Sequence, residues 1–549
     1  MSSGLLKIAG GTVYDPAHGV DGQVRDLWID GGKIVAAPTD RAVRPARVLD
    51  ARGLVVMPGG IDMHCHIAGP KTNAARKLRP EESRTAEPVL RTARTHSGTG
   101  GSVPSTLATG YRYAGLGYTT AFDAAITPLA ARHAHAELAD TPCIDRGFYV
   151  LVGNNHFLLD AIGKHEPERV EAFLGWLLSA TKAYAPKLVN PGGVEAWKHG
   201  TALHTLDDNV PGFRVTPREI IHSVARAGSR LKLPHSVHVH TANLGMPGNW
   251  TTTLETMQTV EPFGGHLTHI QFHSYGGHDE RSFCSAVAPL AQFVNEHPRL
   301  TVDVGQVMFG GTTSMTGDSQ VGYYLSNLYG SKWVSHDTEL ETGCGITPIR
   351  YKQKSLINAW QWAIGLEWYL SVTDPWRVVM STDHPNGGSF LAYPQIIRLL
   401  MDRTWRREQL ALLPRGVREH SVLKELEREY SLQEICIITR SGPARILGLK
   451  NKGHLGPGAD ADVTLYTPDK NQQTMFELPR YVIKAGEVLI DQGELREPAA
   501  GKTLHVAPAY DAGIETDLAR HFEQYYSVRL ANYPVTADEI GPAEATACR

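Results

Sequence analysis

Gly59-Gly60-Ile61-Asp62-Met63-His64-Cys65-His66 is a short apolar run that ends on two histidines two residues apart. A run of this length after a proline–glycine turn reads as a buried β-strand. Side chains alternate along a strand, so His64 and His66 share one face and Cys65 takes the other. Two imidazoles on one inward face can share a metal, and the alternation removes Cys65 from the candidate ligands. Seven further runs have the same character: 118–125, 147–152, 187–190, 236–241, 267–273, 301–306 and 378–383. Helical patterns fall between most of them. Residues 167–183 carry Phe173, Leu174, Leu177 and Leu178 on one face, and Pro217 opens another helix at its first turn. Eight such strands alternating with helices predict an α/β chain with a (β/α)8 TIM barrel over 57–435, its active site at the strand C-terminal ends.

The two ends of the chain read differently. Residues 5–13, 26–29 and 33–35 alternate apolar and polar, and so do 462–466, 481–484 and 487–490. Asp30-Gly31-Gly32 and Ala485-Gly486 supply turns. Neither piece is large enough for a comfortable core, so 1–56 and 436–500 are predicted to form one composite β-sandwich domain. The polar extension 501–549 wraps the surface or contacts another protein chain. Two strand-to-helix connections, 67–104 and 307–354, far exceed the usual ~2–6 residues, a length that marks lids or binding walls. Residues 402–432 include a charged helical run.

Composition narrows the function. Lys+Arg 54 against Asp+Glu 57 leaves a net charge of −3 over 549 residues, which gives no field for nucleic acid or an anionic membrane. No apolar run is long enough to span a bilayer, and the start of the chain does not read as a signal peptide. Six cysteines without a CxxC pair argue against iron–sulfur clusters and a disulfide framework, and fit a reducing cytoplasm. The 25 histidines are the unusual feature.

Several of these histidines sit at strand ends. The eighth run closes Thr382-Asp383-His384-Pro385, which puts Asp383 at the barrel mouth as either a helix cap or a ligand and general base. The fifth reads Val237-His238-Val239-His240 and the sixth Thr268-His269-Ile270-Gln271-Phe272-His273. Each histidine pair shares a face, so depth separates them: His240 and His273 are predicted at the catalytic rim, with His238 and His269 lower. The fourth run begins with Lys187. A lysine here either snorkels from the strand start or, kept neutral by desolvation, adds carbon dioxide to become a metal-bridging carbamate. Lys182 is its competitor.

HxH after a Pro-Gly-Gly-hydrophobic-Asp turn, a lysine on strand four, histidines ending strands five and six, and Thr-Asp-His on strand eight resemble the binuclear metal site of the amidohydrolase superfamily. Gly458-Ala459-Asp460-Ala461-Asp462-Val463 is similar to a segment typical of it. More closely, the chain resembles the family that joins the A-type subunit of formylmethanofuran dehydrogenase to the alpha subunit of the bacterial formyltransferase/hydrolase complex. The residues that carry this are Val189-Asn190-Pro191-Gly192-Gly193, His240-Thr241-Ala242-Asn243-Leu244-Gly245, His273-Ser274-Tyr275-Gly276-Gly277 and Ser381-Thr382-Asp383-His384-Pro385-Asn386. The resemblance implies that His64, His66, Lys187, His240, His273 and Asp383 bind two Zn2+, bridged by carboxylated Lys187 and a hydroxide. It also implies formyl-methanofuran as substrate, formate and methanofuran as products, and a formyltransferase subunit with smaller subunits as partners. Asp383 would then accept the nucleophile's proton and deliver it to the departing amine.

The first long connection carries Lys71, Arg76, Lys77, Arg79, Arg84, Arg91 and Arg94. These form a solvated basic loop or, as the resemblance suggests, a cradle for a polyglutamate cofactor tail. Asn154, Asn155 and His156 either orient substrate or cap a turn. Two other readings compete: a cyclic-amide hydrolase of the dihydropyrimidinase or dihydroorotase type, and a metal-free scaffold subunit.

Overall fold

A computed structural model describes residues 4–40, 42–82, 101–316, 319–338, 342–496 and 498–548. Eight parallel strands form the barrel: β1 Gly60–Cys65, β2 Tyr118–Ile126, β3 Asp145–Leu151, β4 Ala185–Val189, β5 His238–His240, β6 Gly265–Leu267, β7 Leu300–Asp303 and β8 Val378–Val379. Each pairs with the next in chain order, and a bridge between Cys65 and His384 closes β8 onto β1. β1 to β4 are buried along nearly their whole length, as strands covered by helices on the outside and filled side chains within must be. The helix predicted over 167–183 runs Pro167–Thr181. The one opened by Pro217 runs to Arg230 behind a capping box of Thr216 and Glu219. The charged run beyond His420 is helical only to Lys424, and 425–431 are irregular.

β6 departs from the sequence reading. Leu267 ends the strand, His269 takes a left-handed conformation with φ 35°, and Ile270–His273 form a 3-10 turn. Strand alternation therefore does not relate His269 to His273.

The chain ends meet in one nine-stranded mixed sheet. Strand Leu6–Asp15 is hydrogen-bonded to Val20–Asp30 and Val55–Pro58, and Val55–Pro58 pairs in turn with Val463–Tyr466. Ile8, Ile29, Val56, Val463 and Ile483 share one apolar cluster beneath it. Helical residues 432–447 straddle the 435/436 boundary expected from sequence and pack into the barrel's core through Ile435, Ile438 and Leu447. Part of the tail joins the barrel sheet: Thr503–Val506 lies parallel to β3, pairing Thr503 with Arg146, and carries Ala543–Thr546 on its far side.

The two long connections build a cover over the C-terminal end of the barrel. Strands Gly310–Thr316, Val334–Thr338 and Thr342–Tyr351 form an antiparallel sheet flanked by helices Pro70–Leu78 and Ser319–Tyr329. Ala75, Val103, Met315 and Ile346 close around a small core of their own, so the cover is a packed unit.

Candidate metal centre

The strand ends converge beneath that cover. His64 Nε2 lies 3.0 Å and His66 Nε2 3.1 Å from the same oxygen, Oδ1 of Asp383. The ring of His269 lies 5.1 Å from that of His64 and 4.7 Å from that of His240, and His273 lies 4.9 Å from His240. Ligand atoms of His64, His269 and Asp383 fall within 4.8 Å of one another, as do those of His240, His269 and His273. Lys187 reaches into the same space and donates to Thr268 Oγ1 at 3.1 Å. The structure thus gathers all six residues singled out from sequence and adds His269, whose left-handed backbone turns it into the middle of the group. Lys182 stands apart, with its amine on the Ser179 carbonyl at 3.0 Å.

Burial governs the electrostatics. It pushes the Lys187 amine down to about 7, against the pull of Asp303 and Asp383. It drives the His240 and His269 imidazoles well below their ordinary range and His273 to about 3, with neighbouring cationic groups adding to the effect for His240 and His273. Burial by itself would raise Asp383, but His269 and His64 outweigh it and hold the carboxyl well below the usual carboxylate range. Neutral imidazoles at His240, His269 and His273 with an ionised Asp383 are protonation states that suit metal ligation, whereas at His64 burial is outweighed by Asp303 and Asp383, which raise the imidazole above its ordinary range.

Two orphaned atoms test whether a cation fits. His240 Nε2 and His269 Nδ1 are buried without a hydrogen-bond partner, a costly state for a polar atom unless an ion or ligand completes it. Imidazole nitrogens and a carboxylate make a donor set suited to a divalent transition metal. Behind the donors, Asp303 Oδ2 accepts from His64 Nδ1 at 3.1 Å, fixing which nitrogen of His64 faces the cavity. Asp123 accepts from the backbone of Ile67 and Ala68 at 2.7 and 2.9 Å, beside His66 Nδ1 at 3.7 Å. Sequence reading passed over both carboxylates, although a lone aspartate inside an apolar strand was the available signal.

The basic residues of the first long connection divide. Lys71 is buried and lines the cavity. Arg76 donates to the carbonyls of Pro104 and Ile67, and Arg79 to that of Thr312 at 3.0 Å while pairing with Glu82 at 2.8 Å. Those two guanidiniums hold the cover together. Lys77 is exposed, and Arg84, Arg91 and Arg94 lie outside the described residues. Asn155 caps the backbone N–H of Leu158, Asn154 accepts from the backbone N–H of Val194, and His156 pairs with Glu195 at 2.8 Å. The cavity above the site holds about 110 Å3. Leu244, Phe272, Phe283, Leu325, Tyr329 and Tyr351 are among the residues that wall it, so a polar floor lies under an apolar funnel.

A closed parallel barrel with strand-end HxH, lysine, histidine and aspartate donors defines the class: the chain belongs to the amidohydrolase family, whose model matches residues 47–490. Among individual proteins it is similar to Protein FwdA of Methanocaldococcus jannaschii, at 44% identity over 96% of each chain. It is 37% identical to the A-type subunit of the formyltransferase/hydrolase complex Fhc of Methylorubrum extorquens, over 99% of this chain and 100% of that one. In the crystal structure of the Methylorubrum extorquens complex FhcABCD with methylofuran, a chain covered in full matches 99% of this one at 36% identity with a TM-score of 0.92. The similarity therefore extends through both long connections and the tail. Among the described residues no helix is long and apolar enough to cross a membrane.

Proposed function

We propose that this chain hydrolyses an N-formyl amine borne on a methanofuran-type carrier, releasing formate and the free amine as one component of a formyltransferase/hydrolase complex. The observation that carries this reading is the full-length relationship to the Fhc protein, which includes the cover over the site. A cyclic-amide hydrolase would share the metal donors, but this cover needs a larger substrate to explain it. The cavity agrees: its polar floor of donors lies under apolar walls that include Leu244, Phe272 and Tyr351, which would set a formyl group against the donors. The carrier's remaining bulk would then lie in the apolar funnel.

In this reading His64, His66 and Asp383 would hold one zinc and His240 and His273 the other. A carboxylated Lys187 would be shared between them, and His269 would be a further donor within reach of both groups. The metals would supply Lewis-acid polarisation of the formyl carbonyl and of the attacking water. Lys187, about half neutral at pH 7, would attack carbon dioxide through its amine lone pair, forming an N–C bond and releasing a proton to water to give the carbamate. Asp383 stays ionised at neutral pH, so it accepts the proton of the attacking water and returns it to the departing amine nitrogen. Lys71 brings a positive charge to the cavity wall, beside developing negative charge on the formyl oxygen. Cys65, Cys143, Cys284, Cys436 and Cys548 carry free thiols, which suits a reducing cytoplasm.

Zinc analysis joined to a formate assay tests the reading. Two zinc per chain and formate release from formylated carrier are expected. Less than one zinc in a carefully prepared sample, or no formate, would overturn it.

A further inference from the structure

A file of buried imidazoles runs from the metal centre toward the base of the barrel, on the side away from the cavity. His64 Nδ1 lies 3.0 Å from His238 Nε2, and His238 Nδ1 lies 3.0 Å from His235 Nε2. His235 Nδ1 ends the file 3.2 Å from the carbonyl oxygen of Ile446. All three rings are buried, and the hydrolysis described above has no use for the last two.

The two ends of the file settle where each ring carries its hydrogen. A carbonyl oxygen only accepts, so His235 donates from Nδ1 and keeps Nε2 as an acceptor. His238 must then donate from Nδ1, which leaves its own Nε2 to accept from His64 Nδ1. Asp303 imposes the same state from the other end. Its carboxylate also only accepts, and its remaining partners are donors: His266 Nε2 at 3.1 Å, the His269 backbone N–H at 3.0 Å and the Ser381 hydroxyl at 2.5 Å. Both constraints place a hydrogen on His64 Nδ1. Nε2 faces Asp383 Oδ1 at 3.0 Å, which also only accepts, so the hydrogen carried there is the one that a metal would replace.

We propose that His235, His238 and Asp303 are positioning residues, a relay of fixed tautomers from the Ile446 carbonyl to His64 that holds a hydrogen on His64 Nδ1 and so makes Nε2 the nitrogen a metal takes. The inference rests on the metal-centre reading above. Asp303 extends the effect, because its partners include the backbone of His269 and Ser381, two residues before Asp383. One carboxylate on β7 thus bears on donors from three other strands.

Zinc affinity of the full chain, measured by competition with a chromophoric chelator, tests the relay. His235→Phe keeps a ring of similar size and removes the acceptor that faces His238. His235→Gln sacrifices the ring and retains an acceptor. The Phe variant is expected to bind zinc ~10–100-fold more weakly, with Gln closer to the unsubstituted chain. If packing alone mattered the order would reverse, and that result, or an equal loss in both, overturns the relay. Asp303→Asn sets an amide N–H2 among four donors and is expected to lose at least as much. Unchanged affinity there also overturns the proposal, and covers the case in which the Phe variant does not fold. An unsubstituted chain that takes up no zinc would sink the metal-centre reading itself. Normal uptake by every variant would sink only the relay.

Discussion

Buried carboxylates cluster at both ends of the barrel, and the two clusters behave in opposite ways. At the base, Asp145, Asp460 and Asp462 offer oxygens within 4.8 Å of one another, the spacing of a cation site. The chain supplies the cation itself. Lys452 Nζ sits 2.5, 2.9 and 2.8 Å from the three carboxylates in that order, and Lys484 Nζ lies 2.7 Å from Asp145 and 3.1 Å from Asp462. Lys33 and Lys502 complete the network at its margin, at 2.6 and 3.0 Å from Asp460. It joins β3, the terminal sheet and the tail. At the mouth, by contrast, imidazole nitrogens stay unpartnered around Asp383, and the lysine present has lost much of its basicity. A buried anionic cluster that brings its own ammoniums is a clamp, and one that leaves lone pairs unfilled is a site for a metal.

Substitutions should separate the two ends, and the largest effect belongs to the mouth. Asp383→Asn is expected to lower formate release ~10²–10⁴-fold while the melting temperature stays near its original value, as paired turnover and thermal-melt measurements would show. Lys187→Ala should lose zinc and activity together, whereas Lys182→Ala retains both, a contrast read by metal analysis of the purified variants. At the base, Lys452→Met leaves buried carboxylates unpaired and should cost about 3–5 kcal/mol, lowering the melting temperature without changing zinc content. A drop in zinc there would break the distinction.

Acid gives a gentler probe of the same contrast. Burial favours the neutral form of Asp145, Asp460 and Asp462, but Lys452, helped by Lys484 or Lys33, outweighs it and holds all three below their ordinary value of 3.8. A carboxyl depressed in the folded state stabilises the fold above its unfolded pKa, and loses that contribution as pH falls toward the folded one. The clamp should therefore contribute fully at pH 5–7 and weaken only below about 4. Unfolding midpoints across that range would show a plateau followed by a fall, and Lys452→Met should flatten it. The smallest effect is expected from Lys77→Ala. The side chain is exposed, so KM for the formylated carrier should change by less than about twofold, in the range of ordinary surface substitutions.

Much of the mouth was legible in the one-dimensional pattern. Period-2 alternation paired His64 with His66, and the barrel rule that donors lie at strand C-terminal ends selected His240 and Asp383. The same reasoning failed at the sixth strand, because it assumed that extended geometry continues to His273. The strand stops at Leu267, and the His269 N–H turns to Asp303, 34 residues away in sequence. Alternation carries no trace of that partner. The basic loop shows a related limit: Lys71, Arg76 and Arg79 read alike, but their roles depend on which backbone carbonyls the cover brings near.

Sequence by itself determined the barrel, the composite terminal sheet and most of the donor types, since local periodicity and strand-end chemistry depend on near neighbours. Tertiary structure decided which donors meet, that Lys452 fills one acidic cluster while imidazole lone pairs remain at the other, and how His64 is oriented. Those outcomes depend on contacts between residues tens to hundreds of positions apart, made in a buried interior where an unpaired polar atom is costly.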